Sequence, residues 1–401
     1  MALRLDTTKT PRRIAAITVA TLKEVRQLPE WKRAFSHLAK DWRYYEIVQE
    51  TINPEFDYRY LVVRNSDGKV LAIQPFFLVH QDILQGSNTR LTKFAENVRK
   101  IWPGFLKIRT LMVGNAAGPG YLQPTQEEER VQVARILSKN LIPLGKLHRS
   151  ALVVLKEFPR FDRNALSELL AEGFSLLPSL PHTQHDLSRF ASFDDYKEAK
   201  NRNGRRRIER HLKASTNPGV APIQLKVRDS GEGAIDEIYE LYEKTFERAS
   251  MSFERLTPEY FREIGRRMPD RARFFFWRQN GKIIAASLCL IEGDTLLTEY
   301  LGLDYTVAND LKLYFRVHYD TIDWAIKNGF KSLVSTPLGY EPKLYLGHEL
   351  LPVDLYVAQT FSSSMNSFFK WMASKIDPTV NDPVLERFPN FRELRTESKK
   401  E

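Results

Sequence analysis

The chain has 401 residues, of which 42% are hydrophobic and 27% are charged, a balance typical of a soluble globular protein with room for two domains. Its single cysteine excludes an internal disulfide, no Cys/His group has zinc spacing, and no apolar run approaches the roughly 20 residues of a membrane span. The net charge of +10 favours an anionic partner: a phosphate-bearing or nucleotide-bearing small molecule, a coenzyme, nucleic acid or an acidic membrane surface. Residues 1–25 lack the apolar stretch of a secretory signal, so we expect a cytoplasmic protein without a transmembrane segment.

The first half of the chain alternates β-rich runs with amphipathic helices. Ser66-Asp67-Gly68 predicts a hairpin turn, Thr125 followed by acidic residues predicts the start of a helix, and Gly173 predicts the end of one. In chain order the pattern predicts a strand and a helix within 17–42, a hairpin at 58–82, a strand at 106–115, a helix at 125–146, a strand at 150–158 and a helix near 163–172.

The second half repeats this order. It predicts a meander at 273–306, a helix at 309–329, and strands at 331–337 and 350–360. Asn309 and Gly329 predict the two ends of the long helix. Segments 60–79 and 274–291 share their apolar pattern and the position of their turn. We therefore predict two copies of one β-β-β-α-β unit.

A basic segment, 192–215, lies between the two copies, and we predict it to be one helix. A short strand and two helices, at 232–250 and 257–268, follow it. Its arginines make a field suited to phosphate groups, although a solvated helix face is the alternative; they include Arg202, Arg205, Arg206 and Arg207. Aromatic residues are not interleaved with them, so we do not expect sequence-specific binding of DNA or RNA.

Two stretches carry a resemblance to a known family. The first is the basic segment, "SFDDYKEAKNRNGRRRIERHLKA". The second, 299–352, contains Ile322-Asp323-Trp324-Ala325 and Gly329 in its helix and Lys343-Leu344-Tyr345-Leu346-Gly347 after it. Together they resemble the GNAT-fold acyltransferases of the Fem-like kind, especially the cellulose-biosynthesis-type (BioF2-like) branch. The resemblance covers most of 15–360 and is diffuse in the first half.

The resemblance implies an α/β (α+β) protein with two tandem GNAT-like domains, each a mixed, mostly antiparallel sheet flanked by helices. We place these domains at 1–190 and 191–360, and we assign 361–401 to a C-terminal helix and a polar tail. The resemblance also implies transfer of an acyl or aminoacyl group from an activated donor to an amine or hydroxyl of a small or cell-envelope-related acceptor.

Two departures from the family pattern bear on the donor. The glycine-rich loop that cradles the pyrophosphate of coenzyme A is replaced by "LGLDYTVANDLK", and the long helical arm of Fem-type peptidyltransferases is missing. Acyl-CoA and aminoacyl-tRNA both stay open as co-substrates, and we expect neither a tightly bound cofactor nor a metal.

The candidate catalytic residues fall in the second copy. The resemblance places Lys343 near the reacting carbonyl of the acyl donor, where a fixed ammonium would stabilise an oxyanion. We predict that Lys343 lies on a loop between two strands, and an exposed surface lysine is the alternative. For proton transfer the candidates are Glu299, Asp304 and His318. Glu299 lies in a β-rich run, where a side chain that faces solvent is the alternative. His318 lies on the apolar stripe of its helix, where a core histidine is the alternative.

Substrate-binding candidates complete the predicted site. Asp304 either caps the turn after its strand or binds substrate, and we assign Tyr340 and Tyr314 to substrate binding. A non-catalytic double-GNAT protein that binds an anionic ligand or a protein partner is the alternative function, and the missing pyrophosphate loop favours it. The polar residues that gather near one strand end favour the enzyme. The sequence leaves the donor, the acceptor, the general base and the oligomeric state open.

Overall fold

The computed structural model describes residues 16–52, 56–82, 107–249, 253–361, 367, 370–371 and 377–395. The chain divides into two compact units, each assembled from separate stretches of the sequence. The first unit comprises 1–36, 40–179 and 352–381, and the second comprises 37–39, 180–351 and 382–401.

Each unit is built on a seven-stranded mixed sheet. The first sheet contains β1 (Ala16–Ala20), β2 (Asp57–Arg64), β3 (Val70–Asp82), β4 (Lys107–Val113), β5 (Leu152–Pro159), β6 (Ser175–Pro178) and β14 (Val353–Gln359). The second contains β7 (His182–Asp186), β8 (Gln224–Arg228), β9 (Ala272–Gln279), β10 (Lys282–Glu292), β11 (Thr295–Leu303), β12 (Ser332–Ser335) and β13 (Glu349–Leu351). The strand orders are β1-β2-β3-β4-β5-β14-β6 and β8-β9-β10-β11-β12-β7-β13, which match position for position.

The helices flank these sheets. Those of the first unit are α1 (Leu22–Val25), α2 (Trp42–Thr51), α3 (Glu127–Leu147) and α4 (Arg163–Ala171). Those of the second unit are α5 (Phe193–Glu198), α6 (Arg202–Ala214), α7 (Ile235–Phe246), α8 (Pro258–Arg267), α9 (Leu313–Lys327), α10 (Tyr340–Leu346) and α11 (Phe391–Arg395). None of the helices in the described part of the chain is long and apolar enough to cross a membrane.

The sixth strand of each sheet comes from the other half of the sequence. Strand β14 lies between β5 and β6, and β7 lies between β12 and β13. The predicted duplication is confirmed, because β2-β3-β4-α3-β5 and β9-β10-β11-α9-β12 repeat one order. The compact units nevertheless differ from the predicted domain limits at 190 and 360. The strand exchange sends 182–186 to the second sheet and 353–359 to the first.

Among the described strands, each sheet has one parallel pair, β4–β5 in the first and β11–β12 in the second. A long helix joins the members of each pair, because parallel strands need a crossover connection. In the second unit, α9 buries Val317, Ile322 and Ala325 against apolar side chains of its sheet, including Trp277. Cys289 lies in the same core, where burial raises the pKa of its thiol to about 12, so its predicted core position is confirmed.

Three predicted elements differ from the structure. The basic segment forms two helices, α5 and α6, because the Asn201 side chain caps α6 by accepting a hydrogen bond from Gly204 N at 2.9 Å. Helix α9 begins at Leu313 and not at Asn309, because Lys312 before it is left-handed, with φ 49°. In the predicted C-terminal helix and polar tail, 361–401, residues 367, 370 and 371 are helical, and short 3-10 turns and α11 follow them; 362–366, 368–369, 372–376 and 396–401 lie outside the described residues.

Candidate active site

The parallel strands β11 and β12 of the second sheet have unequal lengths. They pair from Thr295–Ser332 to Thr298–Ser335, and β11 then continues alone on that side to Leu303. The last pair is closed by Thr298 Oγ1, which donates to Ser335 Oγ at 3.0 Å. Beyond this pair no described strand lies beside β11 on that side, so its backbone groups there need partners other than a strand.

Glu299 is the first residue of β11 beyond its last pair with β12. Strand β10 pairs Leu288 with Tyr300 and Cys289 with Thr298, so Glu299 is the extra residue of a β-bulge. A bulge bends its strand and turns the side chain of the extra residue. The side chain of Glu299 is half-buried. The structure thus places the predicted base, Glu299, where the pairing of β11 with β12 ends.

Lys343 is neither exposed nor on a loop, so this part of the sequence prediction is wrong. It lies in α10, which follows β12, and only 4% of the residue is exposed. Its ammonium donates to the carbonyls of Thr336 and Leu338, the latter at 2.8 Å. Those two carbonyls belong to the segment that leaves β12, so Lys343 lies close to the end of that strand.

Burial lowers the pKa of Lys343 to about 7. No ion pair of Lys343 is found among the described residues. A lysine without a carboxylate and with a pKa near neutrality exchanges its proton at physiological pH. Chemically, it can stabilise a developing negative charge or transfer a proton.

Two buried histidines, His318 and His348, lie near this lysine, and a third, His185, adjoins His348. His318 in α9 is 7% exposed, and its Nε2 has no hydrogen-bond partner in the described structure. His348 follows α10, and its ring centroid is 5.3 Å from that of His185 in β7. Burial, then the charge of Lys343, lowers the pKa of His318 to about 3, and burial also lowers the pKa of His348. These imidazoles are therefore neutral at pH 7.

The sequence reasoning identified His318 but missed His185 and His348 as members of this cluster. His348 stands five residues after Lys343, but its spacing in the sequence does not show that its ring lies beside that of His185. His185 lies in a strand that belongs to the first half of the sequence pattern. Only the strand exchange brings it beside residues of the second half.

Asp304 is held within its turn. It is 2% exposed and accepts hydrogen bonds from Thr306 N at 3.1 Å, Thr306 Oγ1 at 2.6 Å and Lys282 Nζ at 2.7 Å. Burial alone would raise the pKa of Asp304, but these hydrogen bonds lower it to about 2. Both carboxylate oxygens are engaged, which favours the capping alternative.

The two tyrosines assigned to substrate binding have different surroundings. Tyr340 is 1% exposed and donates its hydroxyl to Pro181 O at 2.8 Å, so it anchors the start of α10. The Tyr314 ring lies 4.5 Å from that of His318, and its side chain is half-buried. Burial raises the pKa of Tyr314 well above its usual value. Tyr314 is thus the better placed of the two for contact with a ligand.

The four arginines do not form one anion site. Arg205 Nη1 donates to the carbonyls of Lys200, at 2.6 Å, and Glu198, at 3.2 Å, and so joins α5 to α6. The Arg207 guanidinium lies 3.7 Å over the Tyr345 ring. Arg202 and Arg206 are exposed on α6. Of these four, only Arg202 and Arg206 present their charge to solvent.

The helix N-termini of the two units differ in charge. Helix α3 of the first unit begins with Glu127, Glu128 and Glu129, which would repel an anion. Helix α9 of the second unit has no acidic residue in its first turn, and Lys312 precedes it. The N-terminus of α9 is thus the one whose charge suits a phosphate.

Within the described residues, no group of three or more His, Cys, Asp or Glu side chains is arranged to hold a metal ion. The family model FemAB-like, described as peptidoglycan biosynthesis/recognition, matches residues 125–377. No curated protein matches the chain.

Several solved structures match the chain at low sequence identity. The crystal structure of FemX superposes with a TM-score of 0.50 at 10% identity, and the match covers 82% of this chain and 93% of that one. The L-PGS structure from Bacillus licheniformis gives 0.48 at 10% identity, covering 82% and 94%. A tandem GNAT protein from the clavulanic acid biosynthesis pathway gives 0.47 at 10% identity, covering 87% and 99%. The likeness to FemX supports the fold described above.

Proposed function

Since the chain belongs to the FemAB-like family, we propose that it is a transferase acting in cell-envelope biosynthesis. It moves an acyl or aminoacyl group from an activated donor to an amine or hydroxyl of a small or envelope-related acceptor. The family match, which spans more than half of the chain, supports this class of reaction. The site in the second unit supplies the chemistry.

Buried Lys343 beside the end of β12 is the observation that carries the proposal. Acyl transfer passes through a tetrahedral species whose oxygen becomes negative. An ammonium held by the Thr336 and Leu338 carbonyls needs little reorganisation to stabilise that oxygen. Because it is buried, its field is screened less than that of a surface lysine.

Glu299 is the proposed general base. Glu299 lies at a bulge of β11, one residue beyond the last pair with β12, and there the acceptor amine or hydroxyl would lose its proton to the carboxylate. His318 has a pKa of about 3, too low for a base that works near neutral pH. Its unpaired Nε2 instead suits a neutral hydrogen-bonding role toward the substrate.

The donor carries phosphate groups in this proposal. The N-terminus of α9 and the exposed Arg202 and Arg206 are the positively charged features that suit them. Acyl-CoA and aminoacyl-tRNA both satisfy this requirement, and both are made in the cytoplasm, where we place the reaction. They act as co-substrates and not as tightly bound cofactors.

The first unit has a different structure at the matching position. Beyond Val113 the chain forms a loop whose Gly120 N donates to Lys156 O on β5, at 3.0 Å. Lys156 Nζ donates to Gly118 O at 3.1 Å, and Lys40 Nζ donates to Ala117 O at 3.0 Å. The loop thus lies against β5, and the acidic start of α3 disfavours a phosphate. We therefore assign transfer to the second unit alone.

The test begins with a donor screen. The purified full chain is incubated with acyl-CoAs or aminoacyl-tRNAs and with envelope precursors that carry free amines, and products are identified by mass spectrometry. With an active pair, Lys343→Met should lower turnover by about a hundredfold or more, the scale of losing one oxyanion-stabilising group. Lys327→Met is the matched control, because Lys327 is an exposed lysine on α9 that pairs with Asp323.

One result would count against the role of Lys343, and another would count against the enzyme. Turnover that is unchanged in Lys343→Met would remove Lys343 from the reaction. Tight retention of an anionic ligand without turnover of any donor would favour the non-catalytic binding protein. The replaced pyrophosphate loop and left-handed Lys312 before α9 are the features that favour that alternative.

A further inference from the structure

Helix α10, which carries Lys343, is only seven residues long. A helix of that length is marginal in water, so its position depends on what holds its two ends. At its start, Leu338 and Gly339 are both left-handed, with φ 71° and 59°, and no side chain caps the helix. The start is held by Tyr340, which donates to Pro181 O, and by Lys343, so the contacts at the C-terminal end decide how the rest of the helix is held.

Two side chains outside α10 donate hydrogen bonds to the carbonyl of Leu346 at that end: Tyr196 of α5, and Lys200, which follows α5. Lys200 Nζ donates to it at 2.7 Å, and Tyr196 Oη donates to it at 3.0 Å. The last carbonyls of a helix have no partner within the helix, and a cation is favoured there by the helix dipole. Lys200 also lies 4.6 Å over the Tyr196 ring.

Gly347 is required by this arrangement. It has φ 95°, and its N–H donates to Lys343 O and Leu344 O, both at 3.1 Å. A Cβ at this position would collide with Lys200 Nζ. Only glycine therefore permits both the turn that ends α10 and the approach of the ammonium to Leu346 O.

We propose that Lys200 is a positioning residue for Lys343: it fixes the C-terminal end of α10 and thereby the place of the Lys343 ammonium. The inference rests on the proposed function, in which Lys343 acts on the reacting carbonyl. Two ammonium groups hold the helix from opposite sides, Lys343 through the segment before it and Lys200 through the carbonyl at its end.

The surroundings of Lys200 disfavour its charged form, although that form binds Leu346 O. Burial, then the charge of Arg189, lowers the pKa of Lys200 to about 8. Lys200 forms no ion pair in the described part of the chain. The groups near it include the rings of Tyr196, His185 and His348 and the guanidinium of Arg189. A surface lysine with only a solubilising role would not be desolvated in this way.

The experiment follows the helix and its lysine directly, without any substrate. In Lys200→Met, hydrogen exchange of the Gly347 and His348 amides should accelerate by about tenfold or more, the scale of losing a charge-assisted hydrogen bond. Competitive trace labelling of lysines with acetic anhydride should show the midpoint for Lys343 moving up from about 7 toward its ordinary value, because a looser helix lets water reach it.

Two controls separate positioning from general destabilisation. Lys197→Met removes an exposed lysine three residues earlier that pairs with Asp194, and it should change neither readout. Ile264→Val shortens a fully buried side chain in α8 and should lower the melting temperature without moving the Lys343 midpoint. If Lys200→Met does not fold, Tyr196→Phe removes the other donor to the same carbonyl and should give a smaller change of the same sign.

An unchanged Lys343 midpoint and unchanged exchange in folded Lys200→Met or Tyr196→Phe would overturn the proposal. A midpoint that moves equally in Ile264→Val would also overturn it, since the effect would then be general. Failure of the proposed function is seen elsewhere, in the turnover of Lys343→Met. The two ideas can therefore fail independently.

Discussion

Arg163 and Asp354 form a two-point ion pair although they stand far apart in the sequence. Arg163 Nε donates to Asp354 Oδ2 at 2.6 Å, and Nη2 donates to Oδ1 at 2.9 Å. Asp354 is 1% exposed and lies at the start of β14, the strand that the second half of the sequence supplies to the first sheet. The pair thus ties the exchanged strand to α4.

Breaking this pair should destabilise the first unit. Asp354→Ala leaves the partly buried guanidinium of Arg163 without its carboxylate, and we expect a loss of about 3 kcal/mol in the free energy of unfolding. Denaturant titration measures it. Glu168→Ala is the matched control, because it breaks an exposed pair with Arg135 and should lose less than about 1 kcal/mol. Equal losses would show that the Asp354 pair does not hold β14.

The repeated fold could be predicted from the sequence because it depends on local patterns. The hairpin turns, the long helices and their following strands all recur within short stretches, and each was predicted from alternation and turn residues. The exchange of β7 and β14 could not be predicted in this way. Which sheet accepts a strand is decided by pairing between residues far apart, such as Val357 with Val154, and single-sequence periodicity carries no such information.

The candidate site shows the same limit. Lys343 was identified from its motif, but tyrosines and glycines around it suggested a loop where α10 forms. The helix is stabilised by long-range contacts, including those from Tyr196 and Lys200 to Leu346 O, and not by local propensity. The arginine run was visible in the sequence, whereas the separate roles of Arg205 and Arg207 depend on neighbours that fold brings to them.

The titration of Lys343 should be visible in stability and in rate. Its pKa is lowered from an ordinary value of 10.5 to about 7, so between these values the unfolded chain binds a proton that the folded chain does not. Stability should therefore rise with pH from about 7 to 9.5, by at most about 1.4 kcal/mol per pH unit from this group. Lys343→Met should reduce this rise of stability with pH. A smaller rise should remain, because the pKa of Lys200 is also lowered in the folded state.

The rate should move in the opposite direction, because the proposed mechanism uses the charged form of Lys343. With an active substrate pair, kcat should fall as pH rises above about 7. A kcat that rises through this range would mean that the neutral amine is the active form. Lysine would then serve as the base, and the assignment of Glu299 would be wrong.

His318 should make the second unit sensitive to acid. Burial and Lys343 lower its pKa from 6.5 to about 3, so the unfolded state takes up a proton first as pH falls through this range. Its contribution to stability is present above pH 6.5 and is lost progressively toward pH 3. His318→Gln should reduce the slope of stability against pH between 6 and 4, measured by denaturant titration. His80→Gln, at an exposed position, is the control, and an equal change there would contradict the prediction.

The arginines of α6 should separate into two classes. Arg205→Gln should lower the melting temperature, because its guanidinium joins α5 to α6 through two carbonyls. The double variant Arg202→Gln/Arg206→Gln should keep the melting temperature of the parent, since both side chains are exposed.

The same double variant should weaken binding of coenzyme A or bulk transfer RNA, whichever probe binds the parent, by a few-fold at low salt. The difference between the variant and the parent should shrink as salt rises, because counterions screen exposed charges within about 10 Å at 0.1 M. Fluorescence anisotropy or calorimetry at several ionic strengths gives both quantities. Binding that is equal in variant and parent at low salt would leave Arg202 and Arg206 as a solvated face, and the phosphates of the donor would then have to be held by the N-terminus of α9.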